Sequence, residues 1–180
     1  EIRLSLVGSE MCIRDSYIES NNLKCKAIML THGHFDHVGA VNAVAEQTGC
    51  PVYINKRDEG YKVGMSGMMF KLPEGGKYYD DGDVITEAGL EFKVIATPGH
   101  TPGGVSLICE NALFTGDTLF RGSCGRTDLP GGDTETELRS VKKLCMLPGD
   151  YEVYPGHMDS STLERERRFN HYCREAMANF

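Results

Sequence analysis

The chain has 180 residues, enough for one domain that buries a sizeable core. Its composition is 40% hydrophobic and 25% charged, and its net charge of -7 argues against a general nucleic-acid surface or an anionic-membrane surface. No apolar run approaches the length of a membrane span. Seven cysteines (Cys12, Cys25, Cys50, Cys109, Cys124, Cys145 and Cys173) are spaced singly, with no Cys-x-x-Cys pair. They read as reduced thiols, and a cytoplasmic location is expected.

Residues 1–16 do not begin with Met and show no clear helix or strand period. The stretch resembles translated sequencing-adaptor sequence and is expected to be non-native, with the domain proper running over 17–180. Tyr17 to Lys24 reads as the end of a helix closed by Asn21 and Asn22. Lys26 to Thr31 has strand character, and Val38 to Thr48 has helical spacing that stops at Gly49. Pro51 to Ile54 predicts another strand.

Residues 55–76 carry no readable period. Met65, Met68, Met69 and Phe70 there suit a mobile apolar cap, although ordinary core filling is the better expectation. Strands are expected at Val84–Thr86, Leu90–Ala96, Gly104–Cys109 and Ala112–Thr115, with a hairpin around Glu110 and Asn111. Thr134 to Met146 predicts a helix, Tyr151 to Tyr154 a strand, and Ser160 to Ala178 one charged helix. Its run from Glu164 to Arg168 is expected to face water with spaced ion pairs. Helices and strands interleave, so the class is α/β.

The histidines carry the chemistry. Between Thr31 and His37 the chain reads Thr-His-Gly-His-Phe-Asp-His, which holds three of its six histidines. Two more follow Pro-Gly turns, at His100 and His157, and Asp117 follows Gly116. Each motif falls where a predicted strand ends, the place where open α/β sheets form ligand crevices. His32 and His34 alternate, so in extended backbone both side chains leave on one face. Gly33 between them frees the chain to turn sharply and lets a metal approach the backbone. Asp36 and His37 fall near the start of the Val38 helix, where they can face a second ion. Paired metals in hydrolases sit about 3.5–4 Å apart, often with a bridging carboxylate, and Asp117 is the bridge candidate. His171, on the last helix, has no motif around it and is expected to be solvated.

These residues resemble the signature of the metallo-β-lactamase-fold superfamily, His-x-His-x-Asp-His, met by His32, His34, Asp36 and His37. His100, Asp117 and His157 match its later ligands in order. The segments Gly99 to Gly103 and Gly116 to Asp128 look most like the glyoxalase II branch, the hydroxyacylglutathione hydrolases, in a short form without a C-terminal helical domain. The resemblance implies an αββα sandwich, here without its first strands, which would leave a sheet edge unpaired and an apolar face exposed. It implies one ion on His32, His34 and His100, a second on Asp36, His37 and His157, and Asp117 bridging. Asp36 and Asp117 are thereby the candidate catalytic carboxylates. Zinc suits this donor set, and iron or manganese also fits.

A water activated between two cations would attack a carbonyl carbon, and a thioester is an easy substrate because a thiolate leaves without a strong acid. The resemblance implies an S-acylglutathione or another small acyl thioester or ester as substrate, with no nucleic-acid or membrane partner. Arg126 stands where that branch often carries a lysine touching glutathione; it could clamp a carboxylate, or pair internally with Asp128. The rival reading is a persulfide dioxygenase on the same fold, similar over Gly125 to Asp128, with one iron on His32, His100 and Asp117. A β-lactamase is a weaker match. Cys124 is expected to be an inert thiol near the site.

Overall fold

A computed structural model describes residues 20–60 and 70–179 of the chain. Residues 1–16 and Met65, Met68 and Met69 lie outside the described residues. Strands β1 (Ile28–Met29), β2 (Val52–Ile54) and β3 (Lys77–Tyr78) form a parallel three-stranded sheet in that order. Strands β4 (Val84–Glu87), β5 (Leu90–Ala96), β6 (Val105–Cys109) and β7 (Ala112–Gly116) follow, then a small hairpin of β8 (Leu119–Phe120) and β9 (Ser123–Cys124). With β10 (Glu152–Pro155) and β11 (Ser161–Thr162) they complete a six-stranded sheet ordered β11-β10-β7-β6-β5-β4. Neighbours in it are antiparallel except β10 and β7.

The helices are α1 (Phe35–Val38), α2 (Val41–Thr48), α3 (Thr134–Cys145), α4 (Leu163–Phe169) and α5 (His171–Asn179). Strand alternation sorts the core into layers. On β7, Phe114 faces the three-stranded sheet among Tyr53, Tyr79, Val94 and Leu107, whereas Leu113 faces the helices among Leu138, Val141, Leu144 and Leu163. On the outer side of the small sheet, Leu30, Val52, Ile54 and Phe70 pack against Val41 and Ala45 of α2. Helix, sheet, sheet and helix thus stack as the αββα sandwich that the resemblance implied. Phe70 fills core, as composition suggested.

Local signals account for most boundaries. Asn22 takes a left-handed φ of 49°, and Gly49 caps α2 with a φ of 67°. Asp133 caps α3 by accepting from the Thr136 amide at 2.8 Å. The hairpin between β6 and β7 turns at Glu110, whose φ is 53°.

Three expectations need correction. The helix expected to start at Val38 starts at Val41, and Asp36 and His37 ride on the separate turn α1. The single helix expected over Ser160–Ala178 is a short strand and two helices, broken at Asn170. Asn170 is extended there, and its buried side-chain amide donates to the carbonyls of Phe120 and Ser123 and to Glu166. The run from Glu164 to Arg168 is also not simply a wet face. Glu166 is fully buried, accepting from the Gly122 amide and Ser161 hydroxyl, while Arg167 donates to the carbonyls of Cys145, Leu147 and Gly149 at the end of α3. Only Glu164 and Arg168 form the expected exposed i,i+4 pair, at 3.4 Å. Periodicity could not show this, because polar side chains committed to buried carbonyls look like any surface run.

Replacing Asn170 with Ala strips the Phe120 and Ser123 carbonyls of a donor. Urea unfolding should show a loss of about 1–3 kcal/mol; an unchanged midpoint would contradict this account of the helix break.

Candidate metal centre

Four strand ends converge on one point. β1 runs out through Leu30 and Thr31 into His32, β5 into Thr97-Pro98-Gly99-His100, β7 into Asp117, and β10 into Gly156-His157. α1 follows His34 at once and turns Asp36 and His37 back toward the same point. His32, His34, His37, His100 and Asp117 are buried, each at most 8% exposed. Asp36 and His157 are more open, with side chains 27% and 45% exposed, so the cluster meets solvent on their side.

The donor atoms fall into overlapping groups. His32, His34 and His100 offer ring nitrogens within 4.8 Å of one another, and the same spacing holds for the ring nitrogens and carboxylate oxygens of His32, His37 and Asp117 and of Asp36, His37 and His157. His100 Nε2 lies 2.8 Å from His34 Nδ1. Asp117 sits between the halves: its Oδ2 is 3.4 Å from His100 Nε2 and 3.3 Å from His157 Nε2, and its Oδ1 is 3.3 Å from His37 Nε2. Asp36 Oδ2 is 3.2 Å from His157 Nε2. All seven sequence-predicted ligands are therefore brought together.

The cluster is polar, buried and incompletely satisfied. His32 Nε2, His37 Nε2 and Asp117 Oδ1 make no hydrogen bond, a costly state for buried groups unless something takes their lone pairs. Burial, reinforced by the neighbouring His37 and His100, pushes His32 well below the ordinary histidine pKa; burial and then His100 bring His34 down to about 4. Both imidazoles are thus neutral at pH 7, the form that ligates a cation. Burial works to raise Asp117, but His37, His100 and His157 together outweigh it and hold the carboxylate below its usual value. Neutral imidazoles beside an ionised carboxylate are a donor set that suits zinc, iron or manganese.

Backbone room is as important as ligand identity. A Cβ on Gly33 would stand 2.5 Å from the Asp58 carbonyl oxygen, and one on Gly156 would collide with Asp117 Oδ1 and the His37 ring. Gly33 was expected to serve a sharp turn and metal approach; what comes close to it in the structure is the Asp58 backbone.

Two buried carboxyl groups beside the cluster were missed in the sequence. Asp58 accepts from the Gly33 amide, the Thr101 hydroxyl and the Gly103 amide. Glu137 on α3 accepts from the His100 amide at 2.8 Å, and burial raises its pKa to about 9. Asp58 lies in the unreadable stretch, and Glu137 looks like one more acid on a charged helix. His100 is held on its other side by the Arg126 carbonyl, 2.7 Å from Nδ1. That contact fixes the tautomer, leaving the Nε2 lone pair for the cluster. The Arg126 guanidinium instead makes two bonds to Asp128, at 2.7 and 2.6 Å, so the internal pair is the one seen. Cys124 packs against the core with its thiol pushed up to about 12 by burial, and His171 is exposed beside Glu175. Among the described residues no helix is long and apolar enough to cross a membrane.

Comparison with known proteins agrees with this geometry. The family model for the Metallo-beta-lactamase superfamily matches residues 8–157. The chain is 34% identical over 167 residues to hydroxyacylglutathione hydrolase GloC of Haemophilus influenzae, covering 85% of this chain and 78% of that one. Among solved structures it is similar to BLEG-1 B3 metallo-beta-lactamase, with a TM-score of 0.82 and 32% identity over 91% of this chain and 84% of that one. It is also similar to TTHA1623 in a di-iron-bound form, with a TM-score of 0.78 and 36% identity over 92% and 86% of the two chains.

Glu137 gives a pH test on the metal-free protein. Its folded pKa of about 9 lies above the ordinary carboxyl value, so its contribution to stability is present at low pH and is lost as pH rises from about 4.5 toward 9. Glu137→Gln keeps the acceptor without the proton. The stability of wild type relative to Glu137→Gln should therefore fall across that window in urea unfolding, and a flat difference would refute the buried neutral acid.

Proposed function

We propose that this chain, which belongs to the metallo-beta-lactamase superfamily, is a metal-dependent hydrolase that holds two divalent ions and cleaves a small acyl thioester of the S-acylglutathione type. One observation carries the reading: both halves of the cluster are complete, with the Asp117 carboxylate lying between them.

In this reading His32, His34 and His100 would hold one ion and Asp36, His37 and His157 the other, with the Asp117 carboxylate lying between the two sets. Two such ions supply a water acidified to a pKa of about 7 and a Lewis acid for the carbonyl oxygen. The protein's part is preorganisation. Arg126 and Glu137 grip His100 at ring and backbone. Buried His32 and His34 stay neutral, and Asp117 stays ionised. Asp36 and His157 form the open edge, so substrate enters past them. A thiolate leaving group, with a pKa near 8.5, departs without a dedicated acid, which favours thioesters over amides. The likeness to a hydroxyacylglutathione hydrolase supports that substrate class, and the di-iron neighbour makes iron as reasonable as zinc or manganese. Arg126 serves as a substrate clamp only by leaving Asp128.

Elemental mass spectrometry of the purified chain should find close to two ions per chain. Hydrolysis should be fastest on S-lactoylglutathione in a panel that also includes an oxygen ester and a β-lactam. Asp117→Asn should lower kcat/KM by about 100-fold or more. A single iron with oxygen uptake on a persulfide would move the assignment to the dioxygenase, and preferential β-lactam turnover would move it to a lactamase.

A further inference from the structure

Asp58 lies outside the ligand set, yet it is the point at which two of the ligand loops are joined. It closes a short 3-10 helix, Lys56–Asp58, that begins directly after β2 and is capped by Asn55. Its side chain is fully buried. Oδ2 accepts from the Gly33 amide at 2.9 Å and the Thr101 hydroxyl at 2.7 Å, and Oδ1 accepts from the Gly103 amide at 2.6 Å. Gly33 separates His32 from His34, and Thr101 follows His100. One carboxylate thus ties the His32–His34 segment to the His100 turn, and these are the segments whose ring nitrogens lie within 4.8 Å.

The fit around it is tight. A Cβ on Gly103 would stand 2.5 Å from Asp58 Oδ1, as one on Gly33 would from the Asp58 carbonyl oxygen. Both loops are therefore drawn down onto Asp58 with no side chain between. Three donors converging on two oxygens need an acceptor at every position, which a carboxylate offers and a carboxamide does not. The 3-10 helix is anchored in turn, because the buried Asn55 amide donates to the Tyr79 carbonyl and to Asp80.

We propose that Asp58 is a positioning residue for the first metal pocket, setting the spacing of His32 and His34 relative to His100. The inference rests on the reading that those three histidines hold an ion. Loss of the carboxylate should act on one ion and leave the other, since the three hydrogen bonds of the Asp58 carboxylate go to Gly33, Thr101 and Gly103 and none to α1 or the β10 end.

The test is cobalt(II) titration of metal-free protein, following the visible absorption bands, with melting of the metal-free form as a control. Wild type should take up two equivalents. In Asp58→Asn one equivalent should weaken by about 10–100-fold, the usual scale for groups that orient ligands, while the other equivalent and the near-ultraviolet circular dichroism are kept. Two equivalents bound as in wild type by a folded Asp58→Asn would overturn the proposal. If that variant does not fold, Thr101→Val and Thr101→Ser decide: Val removes one of the three donors and should weaken the same equivalent, and Ser should restore it. Wild-type binding in Thr101→Val would overturn the proposal. A wild-type chain that takes up no cobalt would overturn the metal reading and this inference with it, whereas normal wild-type uptake with an unaffected Asp58→Asn would overturn this inference alone.

Discussion

Five imidazoles and two carboxylates around one point form an arrangement that a folded chain resists, because the buried groups among them must give up water and not all of them gain a partner in return. Here the penalty is visible as buried ring and carboxylate atoms without hydrogen bonds. Such a cluster persists only if the surrounding backbone leaves it nowhere to relax. Four strand ends and one short helix supply that constraint. His32, His100, Asp117 and His157 each lie within four residues of a strand end, and α1 carries Asp36 and His37, so the loops between have little freedom to open.

The constraint is reinforced by acids that never enter the cluster. Asp58 holds the first histidine pair to the His100 turn, and Glu137 holds the His100 amide from the helix behind it. Glu166 and Asn170 grip the β8–β9 hairpin that follows Asp117. These groups share one logic: a buried carboxyl or amide is costly alone, but it is stable when it satisfies backbone groups that loops would otherwise strand. Loop geometry is thereby set by helices and by the small sheet, elements with apolar cores of their own. The site inherits rigidity from packing that it does not take part in.

The split between buried and open ligands has a functional sense. His32, His34, His37, His100 and Asp117 form a buried floor, and Asp36 and His157 form a rim in contact with solvent. Burial keeps His32 and His34 neutral, and in the proposed function it would strengthen their interaction with a cation, while the open rim would admit substrate and water.

Much of this was written in the chain itself. The spacing of His32, His34, Asp36 and His37, the Pro-Gly turns before His100 and His157, and the alternation along β5 to β7 are local patterns, and they sufficed for the fold class and for picking out the seven His and Asp side chains that the fold brings together. Local patterns end where partners are distant. Asp58 reads as a loop acid until Gly33 and Thr101 are seen against it. Glu137 and Glu166 read as helix surface until their buried partners appear, and the break at Asn170 depends on two carbonyls some fifty residues away. Sequence by itself determined which side chains could serve as ligands, because that depends on residue type and short spacing. Only the tertiary structure decided what holds them in place, because a buried hydrogen bond belongs to two segments at once and neither carries a sign of the other.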